Sequence, residues 1–426
     1  MYVCGPTVYG PPHLGHGRFS LVFDVLRRYL LWSGHRVVYV SNVTDIDDKI
    51  IERAQREGRP WQDIAQRCET VWWTAMDAIG VMRPTHTPHA TEYVEGMVAL
   101  IEELIQRGAA YVAADGVYFR PSTVDGYGLL ARQSIDSLRS GARVDVDDAK
   151  ESPIDFALWK LAKPGEPTWD SPWGPGRPGW HTECVVMSLD LLGDGFDLHG
   201  GGQDLAFPHH ENERAQAVAW GRPFARHWTH NGFVEVAGEK MSKSLGNFTN
   251  LLDLIEQVDP RAYRMLCLQA HYRSPIDVTA TTIGNGSVAL ARLDTLARRV
   301  EPLDRVAADP ATVASFVKRM DDDLDTPGAM SIVFTTTTEI NRLLDAGDHV
   351  AAAPLAAAWR TMLDAVGLEP LAHGEKVPTG VLARAADRDA ARAAKDYATS
   401  DAIRAELESD GWTVEDTASG TVVRRG

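Results

Sequence analysis

The order of strand, turn, helix and strand over residues 2–43 restricts the possible folds more than any other feature. The segment YVCGPTV has the short, apolar and β-branched character of a buried strand, and GPP forms a turn behind it. HLGHGRFSLVFDVLRRYLLWSG repeats apolar residues every three or four positions, which predicts a helix ending near Gly34, and RVVYVSNV predicts a second strand. Such a βαβ unit predicts a parallel sheet that binds ligands beyond the carboxyl ends of its strands.

The middle of the chain mixes helices with shorter elements. Residues 50–88 have a polar helical pattern, and TEYVEGMVALIEELIQRGAAYV predicts an amphipathic helix that ends at Gly108, followed by short strands to about Ser152. Residues 153–186, rich in Trp, Pro and Gly, predict a structured loop region. FDLHGGGQDL then predicts a strand running into glycines, and PHHENERAQAVAW predicts a helix with Pro208 near its start.

The last third of the chain is helical. Segments near 279–301, 310–346 and 348–366 predict a helical bundle. LEPLAHGEKVPTG has the composition of a linker, and the residues after it predict one alanine-rich helix with two short strands.

Composition excludes several classes of protein. A chain of 426 residues with 44% hydrophobic content predicts two to four domains. No run of eighteen apolar residues and no basic segment followed by an apolar stretch occurs, so we expect neither membrane insertion nor export, and a cytoplasmic location. The net charge of −16 argues against a nonspecific coat on nucleic acid, while leaving room for a local basic groove.

Four cysteines are too few for a disulfide framework in a chain of this size. Cys4 and Cys184 could bind a metal together with His209 and Glu213, which lie four positions apart on one helix face. Two thiolates, an imidazole and a carboxylate suit tetrahedral Zn²⁺, although their separations match no compact zinc finger. The alternative is a set of buried thiols and an ordinary helix pair, and for Cys68 and Cys267 we expect buried thiols.

Two short motifs carry candidate catalytic groups. HLGH places His13 and His16 at a helix N-terminus, where backbone amides also favour phosphates, although two such histidines could simply fill a surface turn. KMSKS supplies Lys240 and Lys243, two flexible cations suited to phosphates that change charge during a reaction, and the alternative is a solvated lysine loop.

Together, HLGH and KMSKS are the paired signatures of the class I aminoacyl-tRNA synthetases. Over nearly its full length the chain resembles the cysteinyl-tRNA synthetases. The matching stretches are YVCGPTVYGPPHLGHGR, FDVLRRYL, YVSNVTDIDDKII, GARVDV, GRPGWHTEC, FDLHGGGQDLAFPHHENE, KMSKSLGN, DAIRAEL and TVVRR.

The resemblance implies a cysteine-tRNA ligase. Such an enzyme activates L-cysteine with Mg²⁺-bound ATP to cysteinyl-adenylate and transfers the cysteine to the terminal adenosine of tRNA(Cys). One Zn²⁺ would accept the substrate thiolate and reject serine. A discrimination of ~10⁴ or more exceeds the ~1–3 kcal/mol that a hydrophobic pocket supplies, so coordination makes an editing domain unnecessary.

The resemblance also implies roles for individual residues. The expected metal ligands are Cys4, Cys184, His209 and Glu213. The expected catalytic and ATP-binding residues are His13, His16, Gly200, Gly201, Gly202, Lys240 and Lys243. The expected residues around the substrate cysteine are Gly5, Thr44, Trp180, His199 and Asp204. Candidates for anticodon contact are Trp412, Arg424 and Arg425.

The implied fold is α/β, a Rossmann-like parallel-sheet catalytic domain with an inserted connective segment, followed by a helical bundle and a small α+β anticodon-binding module. The catalytic domain occupies 1–90 and 153–235, interrupted by the insertion at 91–152. The KMSKS loop and stem-contact region, the tRNA-binding bundle, and the linker with the anticodon module follow at 236–278, 279–368 and 369–426. We expect a monomer that binds no membrane.

Two other functions are compatible with parts of the sequence. A ligase of mycothiol biosynthesis shares the catalytic core and zinc site but joins cysteine to glucosaminyl-inositol; TVYGPPHLGHGR, TDIDDKII and the C-terminal DYATSDAIRAELESDGW favour the synthetase. An inactive RNA-binding paralogue is disfavoured because the zinc and phosphate motifs are intact.

A few residues depart from the pattern or invite a second interpretation. Members of the family carry a leader with a strand before YVCG, so we expect a misassigned start or a missing edge strand. Gly10-Pro11-Pro12 replaces a common acidic residue and should stiffen the turn into His13. We expect Asp45, Asp47 and Asp48 to cap a helix rather than bind Mg²⁺. We expect Trp72 and Trp73 to pack, and His86 and His89 to be loop histidines.

Overall fold

A computed structural model describes residues 1–132, 150–235, 250–372, 379–417 and 420–425. Its strands are β1 (Tyr2–Val3), β2 (Ala110–Val112), β3 (Gly116–Phe119), β4 (Phe156–Leu161), β5 (Gly176–Pro178), β6 (Leu198–Gly202), β7 (His227–Asn231), β8 (Val234–Glu235), β9 (Ile276–Asp277), β10 (Trp412–Thr417) and β11 (Gly420–Arg425).

The α-helices of the described ranges are α1 (Leu14–Trp32), α2 (Asp48–Glu57), α3 (Trp61–Ala78), α4 (Val94–Gln106), α5 (Trp180–Leu192), α6 (Glu211–Trp220), α7 (Leu251–Gln257), α8 (Pro260–Leu268), α9 (Ala280–Val300), α10 (Pro310–Met320), α11 (Thr326–Asp345), α12 (His349–Ala365), α13 (Thr379–Ala393) and α14 (Tyr397–Ser409). No helix within these ranges has both the length and the apolar character needed to cross a bilayer.

The predicted parallel sheet is confirmed. β6 lies between β1 and β7 and pairs in parallel with both. On the other side of β1, Tyr2 forms a parallel bridge to Val40, and Val40 forms one to His86. The predicted strand RVVYVSNV is therefore an extended segment with isolated bridges rather than a regular strand.

Helix α1 crosses the sheet as the βαβ pattern predicts. His13 caps its N-terminus, and Gly34 follows its end in the left-handed conformation, with φ of 87°. The helix packs tightly on β6, since a Cβ added to Gly200 would lie 2.3 Å from the Phe23 ring. This packing brings the start of α1 to the carboxyl edge of the sheet.

The prediction of a structured loop region over residues 153–186 is wrong. β4 and β5 continue an antiparallel sheet in the order β2-β3-β4-β5, and α5 begins at Trp180. Proline and glycine around both strands hide their pattern in the sequence, yet the Trp159 side chain is fully buried in the core. This sheet joins strands from both sides of the expected boundary between 152 and 153, and the domain limits stay a prediction.

The helical bundle is confirmed, with one difference in its elements. The predicted helix over 310–346 is two helices, α10 and α11, because Asp323 and Leu324 adopt left-handed φ values of 51° and 54°. The bundle core includes Val25 and Tyr29 of α1, so the bundle packs directly on α1.

The C-terminal module forms a separate small core. β10 and β11 pair as an antiparallel hairpin against α13 and α14. Trp412 belongs to this core with 8% of its surface exposed, which leaves little of the ring for stacking on a base. The backbones of Arg424 and Arg425 lie in β11.

Candidate active site

A cavity of about 740 Å³ opens at the carboxyl ends of the parallel strands. Cys4 follows β1, Gly202 ends β6 and Asn231 ends β7, and all three line it. His13 and His16 at the start of α1 line it as well. The cavity therefore lies where a parallel sheet is expected to bind its ligands.

The four expected metal ligands lie together at one side of this cavity, where Cys4, Cys184 and His209 line it and Glu213 is buried behind them. Cys4 Sγ is 3.7 Å from Cys184 Sγ and 3.6 Å from Glu213 Oε1. His209 Nε2 is 3.6 Å from Cys184 Sγ and 3.0 Å from Glu213 Oε1. The four donor atoms lie within 4.8 Å of one another, and all four side chains are buried.

These distances fit one tetrahedral metal ion. Bond lengths of about 2.3 Å to sulfur and about 2.0 Å to nitrogen or oxygen separate two sulfurs by about 3.8 Å, sulfur from nitrogen or oxygen by about 3.5 Å, and nitrogen from oxygen by about 3.3 Å. The observed separations differ from these by at most a few tenths of an ångström. The set of two sulfurs, one nitrogen and one oxygen is typical of zinc.

The electrostatics of the cluster also suit a cation. Burial raises the pKa of the Cys4 thiol well above its ordinary value and raises that of Cys184. Burial lowers the pKa of His209 well below its ordinary value, so this imidazole is neutral, as a ligand must be. Ionising the two thiols at this depth requires a nearby positive charge.

His199 does not face the cavity as expected. It is fully buried, stacks on Trp228, and its Nε2 lies 2.7 Å from Glu213 Oε2. His199 and His210 form a second possible donor group with Cys4 and Glu213. Neither histidine lines the cavity, whereas Cys184 and His209 do, so the first group is the one that faces the cavity. His199, in the short strand β6, contacts the Glu213 carboxylate instead of the cavity.

The two histidines of HLGH form a reciprocal cap. His16 N donates to His13 Nδ1 at 3.3 Å, and His13 N donates to His16 Nδ1 at 3.2 Å. The rings stack with centroids 3.6 Å apart, and the buried Trp72 packs against His16 edge-on. Burial lowers the pKa of His16 to about 3 and lowers that of His13, so both imidazoles are neutral near pH 7.

Three of the residues expected around the substrate cysteine line the cavity beside the metal cluster. Gly5 follows Cys4, and a Cβ there would lie 1.6 Å from the Asn42 carbonyl oxygen, so only glycine fits. Thr44 donates its hydroxyl to Glu183 Oε2 at 2.7 Å. The Trp180 ring stacks on His209 with centroids 4.0 Å apart.

The fourth is Asp204, which also lines the cavity. It lies just beyond the glycines that end β6. A Cβ added to Gly202 would lie 2.4 Å from Asp204 Oδ1, so the two residues form one tight corner of the wall.

Sequence reasoning missed two polar residues of this wall. Asn42 lines the cavity, accepts a hydrogen bond from Gly5 N at 2.9 Å and donates to the Thr44 hydroxyl. Glu183 supports Thr44 from behind, and burial raises its pKa well above the ordinary value while the Thr44 hydrogen bond opposes that rise. Asn42 lies near the end of the extended segment that bridges to β1, and a polar side chain at the carboxyl end of such a segment is a signal that could have identified it.

The three glycines of HGGG have different surroundings. Gly202 lines the cavity. Gly200 lies against Phe23, and a Cβ at Gly201 would lie 2.8 Å from the His210 ring, so both are small because of packing within the protein. Lys240 and Lys243 lie outside the described residues.

The acidic residues of TDIDDK do not form a cluster. Asp47 caps α2 by accepting from Lys49 N, as predicted. Asp48 forms ion pairs with Lys160 and Arg177, and Asp45 accepts two hydrogen bonds from Thr91. Each carboxylate therefore has its own protein partners.

The other residues given a structural interpretation also have protein partners. Cys68 is buried and Cys267 half-buried. His89 lies 3.0 Å from Glu69, and the Trp73 indole donates to the same carboxylate.

The chain matches two family models. The one described as tRNA synthetases class I (C) catalytic domain spans residues 1–287, and the one described as DALR domain spans residues 315–369. Proteins named Cysteine--tRNA ligase from Thioalkalivibrio sulfidiphilus and Halorhodospira halophila are each 46% identical to the whole chain, which covers 95% and 94% of their lengths.

Solved structures share the fold at lower identity. Mycobacterium tuberculosis methionyl-tRNA synthetase bound by methionyl-adenylate superposes with a TM-score of 0.61 at 16% identity, over 86% of this chain and 88% of that one. LeuRS of Agrobacterium radiobacter, in a ternary complex with tRNA and LeuAMS, gives 0.61 at 11% identity, over 86% and 83%.

The geometry of the cavity wall, the catalytic-domain match over more than half of the residues and the relatives that match throughout lead to one assignment. The chain belongs to the cysteinyl-tRNA synthetase family of the class I aminoacyl-tRNA synthetases.

Proposed function

We propose that this enzyme activates L-cysteine with ATP and transfers it to the 3′-terminal adenosine of tRNA(Cys). The observation that carries the proposal is that the donor atoms of Cys4, Cys184, His209 and Glu213 lie within 4.8 Å of one another, at the wall of the cavity that His13 and His16 also line. Amino acid and nucleotide would thus bind side by side at one sheet edge.

Zn²⁺ is the metal that these four residues would hold. When bound, it supplies a soft Lewis acid that favours a thiolate over a hydroxyl and so selects cysteine against serine. His209 is buried, and the backbone at Gly5 lies directly against the Asn42 carbonyl, so this side of the cavity is tightly packed. Thr44 and Asp204 would orient the amino and carboxylate groups of cysteine, and Trp180 would cover its side chain.

The other half of the cavity would bind Mg²⁺-bound ATP. Neutral imidazoles of His13 and His16 can donate hydrogen bonds to phosphate oxygens without the cost of burying a charge. Lys240 and Lys243 would contribute the cations that stabilise the departing pyrophosphate. Adenylation by an in-line attack of the cysteine carboxylate needs positioning and charge stabilisation rather than a nucleophilic side chain.

We further propose that the helical bundle and the C-terminal module bind tRNA, within the domain limits given by the sequence, and that the enzyme is a cytoplasmic monomer. The mycothiol-pathway ligase is not favoured, because the relatives named Cysteine--tRNA ligase match the whole chain, including the C-terminal module.

Cysteine-dependent ATP–pyrophosphate exchange by the purified protein tests the first step. We expect exchange with cysteine and none with serine, followed by charging of tRNA(Cys). Exchange without tRNA charging, together with ligation of cysteine to glucosaminyl-inositol, would overturn the proposal in favour of the alternative ligase.

A further inference from the structure

Arg18 of α1 is a buried cation whose hydrogen bonds all go to backbone carbonyls. Only 1% of its surface is exposed. Its Nη1 donates to the carbonyls of Gly232 and Phe233 at 3.0 and 2.6 Å. Its Nη2 donates to those of Tyr272, at 3.2 Å, and Ser274. No carboxylate forms an ion pair with it in the part of the chain that the structure describes.

This arginine fixes one wall of the cavity. Gly232 and Phe233 follow β7 and line the cavity directly. Tyr272 and Ser274 belong to the segment before β9, which pairs with β8. A single planar guanidinium therefore ties the helix that begins with HLGH to the chain that passes behind the nucleotide half of the cavity.

The Asn231 side chain contacts the same Gly232 carbonyl as Arg18, and its own amide oxygen has no donor within the described ranges. Its Nδ2 donates to the Gly232 carbonyl at 3.0 Å, so the amide nitrogen must face that oxygen. Its Oδ1 is buried and has no hydrogen-bond partner among the described residues, although the side chain lines the cavity with 4% of its surface exposed. A buried acceptor in a cavity wall is costly unless a ligand satisfies it.

The position of Asn231 indicates which ligand this is. It pairs with Gly202 across β6 and β7, whereas Cys4 follows β1 on the other side of β6. Two strand spacings amount to about 10 Å, so Asn231 lies well away from the thiol-binding wall. Under the proposed function, the ligand group near Asn231 would belong to the nucleotide rather than to the cysteine side chain.

We propose that Asn231 Oδ1 accepts a hydrogen bond from a neutral donor on the adenosine of ATP, the 6-amino group or a ribose hydroxyl, and that Arg18 is the positioning residue that holds this acceptor in place. The inference rests on the proposed function and deepens it, because it assigns nucleotide specificity to a residue outside the HLGH and KMSKS motifs.

The test is cysteine-dependent exchange with ATP, inosine triphosphate, 2′-deoxy-ATP and 3′-deoxy-ATP. In the wild type, the analogue that lacks the contacted donor should lose at least about 3–10-fold in kcat/KM, the worth of one hydrogen bond. In Asn231→Leu, the kcat/KM for ATP should fall by a similar factor, while the kcat/KM for that analogue should not fall further. If ATP and inosine triphosphate have the same kcat/KM in the variant, the contacted donor is the 6-amino group. If ATP and one of the deoxy nucleotides have the same kcat/KM, the donor is the corresponding hydroxyl.

Equal losses for all four nucleotides in Asn231→Leu, or no loss for ATP, would overturn the inference. Asn231→Ala provides a second variant with the same expectation if the leucine side chain prevents folding. A wild-type protein without any exchange would contradict the proposed function instead, so the two failures are distinguishable.

Arg18→Lys tests the positioning role, because lysine keeps the charge but loses the planar fork. We expect it to lose the same nucleotide discrimination at unchanged KM for cysteine. Arg264→Lys is the matched control, since Arg264 is equally buried but donates to Asp24 and to the carbonyls of Ile79 and Gly80, away from the cavity. It should lower Tm and keep the discrimination. Retention of discrimination in Arg18→Lys, or an equal loss in both variants, would refute the positioning role.

Discussion

Cys4 Sγ lies 3.7 Å from Cys184 Sγ, although 180 positions separate the two cysteines in the chain. Cys4 follows the first strand of the parallel sheet, and Cys184 lies in the first turns of α5. Between them the chain forms the antiparallel sheet β2-β3-β4-β5, and it returns to the edge of the parallel sheet where α5 begins at Trp180. The cluster of candidate metal ligands is therefore a product of the tertiary fold.

Replacing Cys184 by serine should empty the metal site. Loss of groups that merely orient metal ligands costs about 10–100-fold in metal affinity, so loss of a ligand should cost at least as much. We expect zinc content well below one ion per chain and a KM for cysteine raised at least about tenfold. Cys68→Ser is the control, because Cys68 is a buried thiol in another hydrophobic cluster and should leave zinc content unchanged. Full zinc occupancy in Cys184→Ser would refute the ligand assignment.

Thr44→Val should affect both stability and cysteine binding. The hydroxyl of Thr44 donates to the buried Glu183 carboxyl, which loses this donor in the variant. We expect a loss of about 1–3 kcal/mol in the free energy of unfolding, measured by urea denaturation, and a higher KM for cysteine. Thr44→Ser retains a hydroxyl and should recover most of both quantities. Equal behaviour of the two variants would show that the hydroxyl is unimportant.

Gly200→Ala separates a packing role of this glycine from a nucleotide-binding role. The added Cβ would lie 2.3 Å from the Phe23 ring, and overpacking of this kind costs about 1–3 kcal/mol of stability. Adding Phe23→Leu should restore part of the loss by making room. If Gly200→Ala instead raises the KM for ATP at unchanged stability, the glycine serves the close approach of adenosine.

Protein stability should depend on pH through His16. Its folded pKa of about 3 is below the ordinary value of 6.5, so the unfolded chain binds a proton between these values and the folded one does not. The stability that the protein gains from keeping His16 neutral is fully present above pH 6.5. It is lost as the pH falls toward 3, at up to about 1.4 kcal/mol per pH unit. Urea unfolding between pH 7 and pH 5 should give a shallower slope for His16→Gln than for the wild type. Identical slopes would mean that His16 titrates normally in the folded protein.

Local patterns in the sequence identified the elements that their own residues dictate. The period of α1, its start beside the HLGH histidines and its end near Gly34 follow from nearest neighbours along the chain, and the structure confirms them. The break between α10 and α11 was missed because Asp323 and Leu324 adopt left-handed conformations without being glycine, so the sequence carries no glycine signal there. β4 and β5 were missed because proline and glycine masked their strand character.

Periodicity and residue chemistry along the chain were enough to predict the parallel βαβ architecture, the helical bundle and the kinds of side chain available for metal and phosphate binding. They do not show which of these side chains converge, because convergence depends on the packing of distant elements. The tertiary structure brought Cys4, Cys184, His209 and Glu213 to within 4.8 Å of one another, turned His199 toward Glu213 behind the wall, and left Asn231 Oδ1 facing the cavity. Such contacts join residues far apart in the chain, and only the packing of sheet, insertion and helices sets their distances.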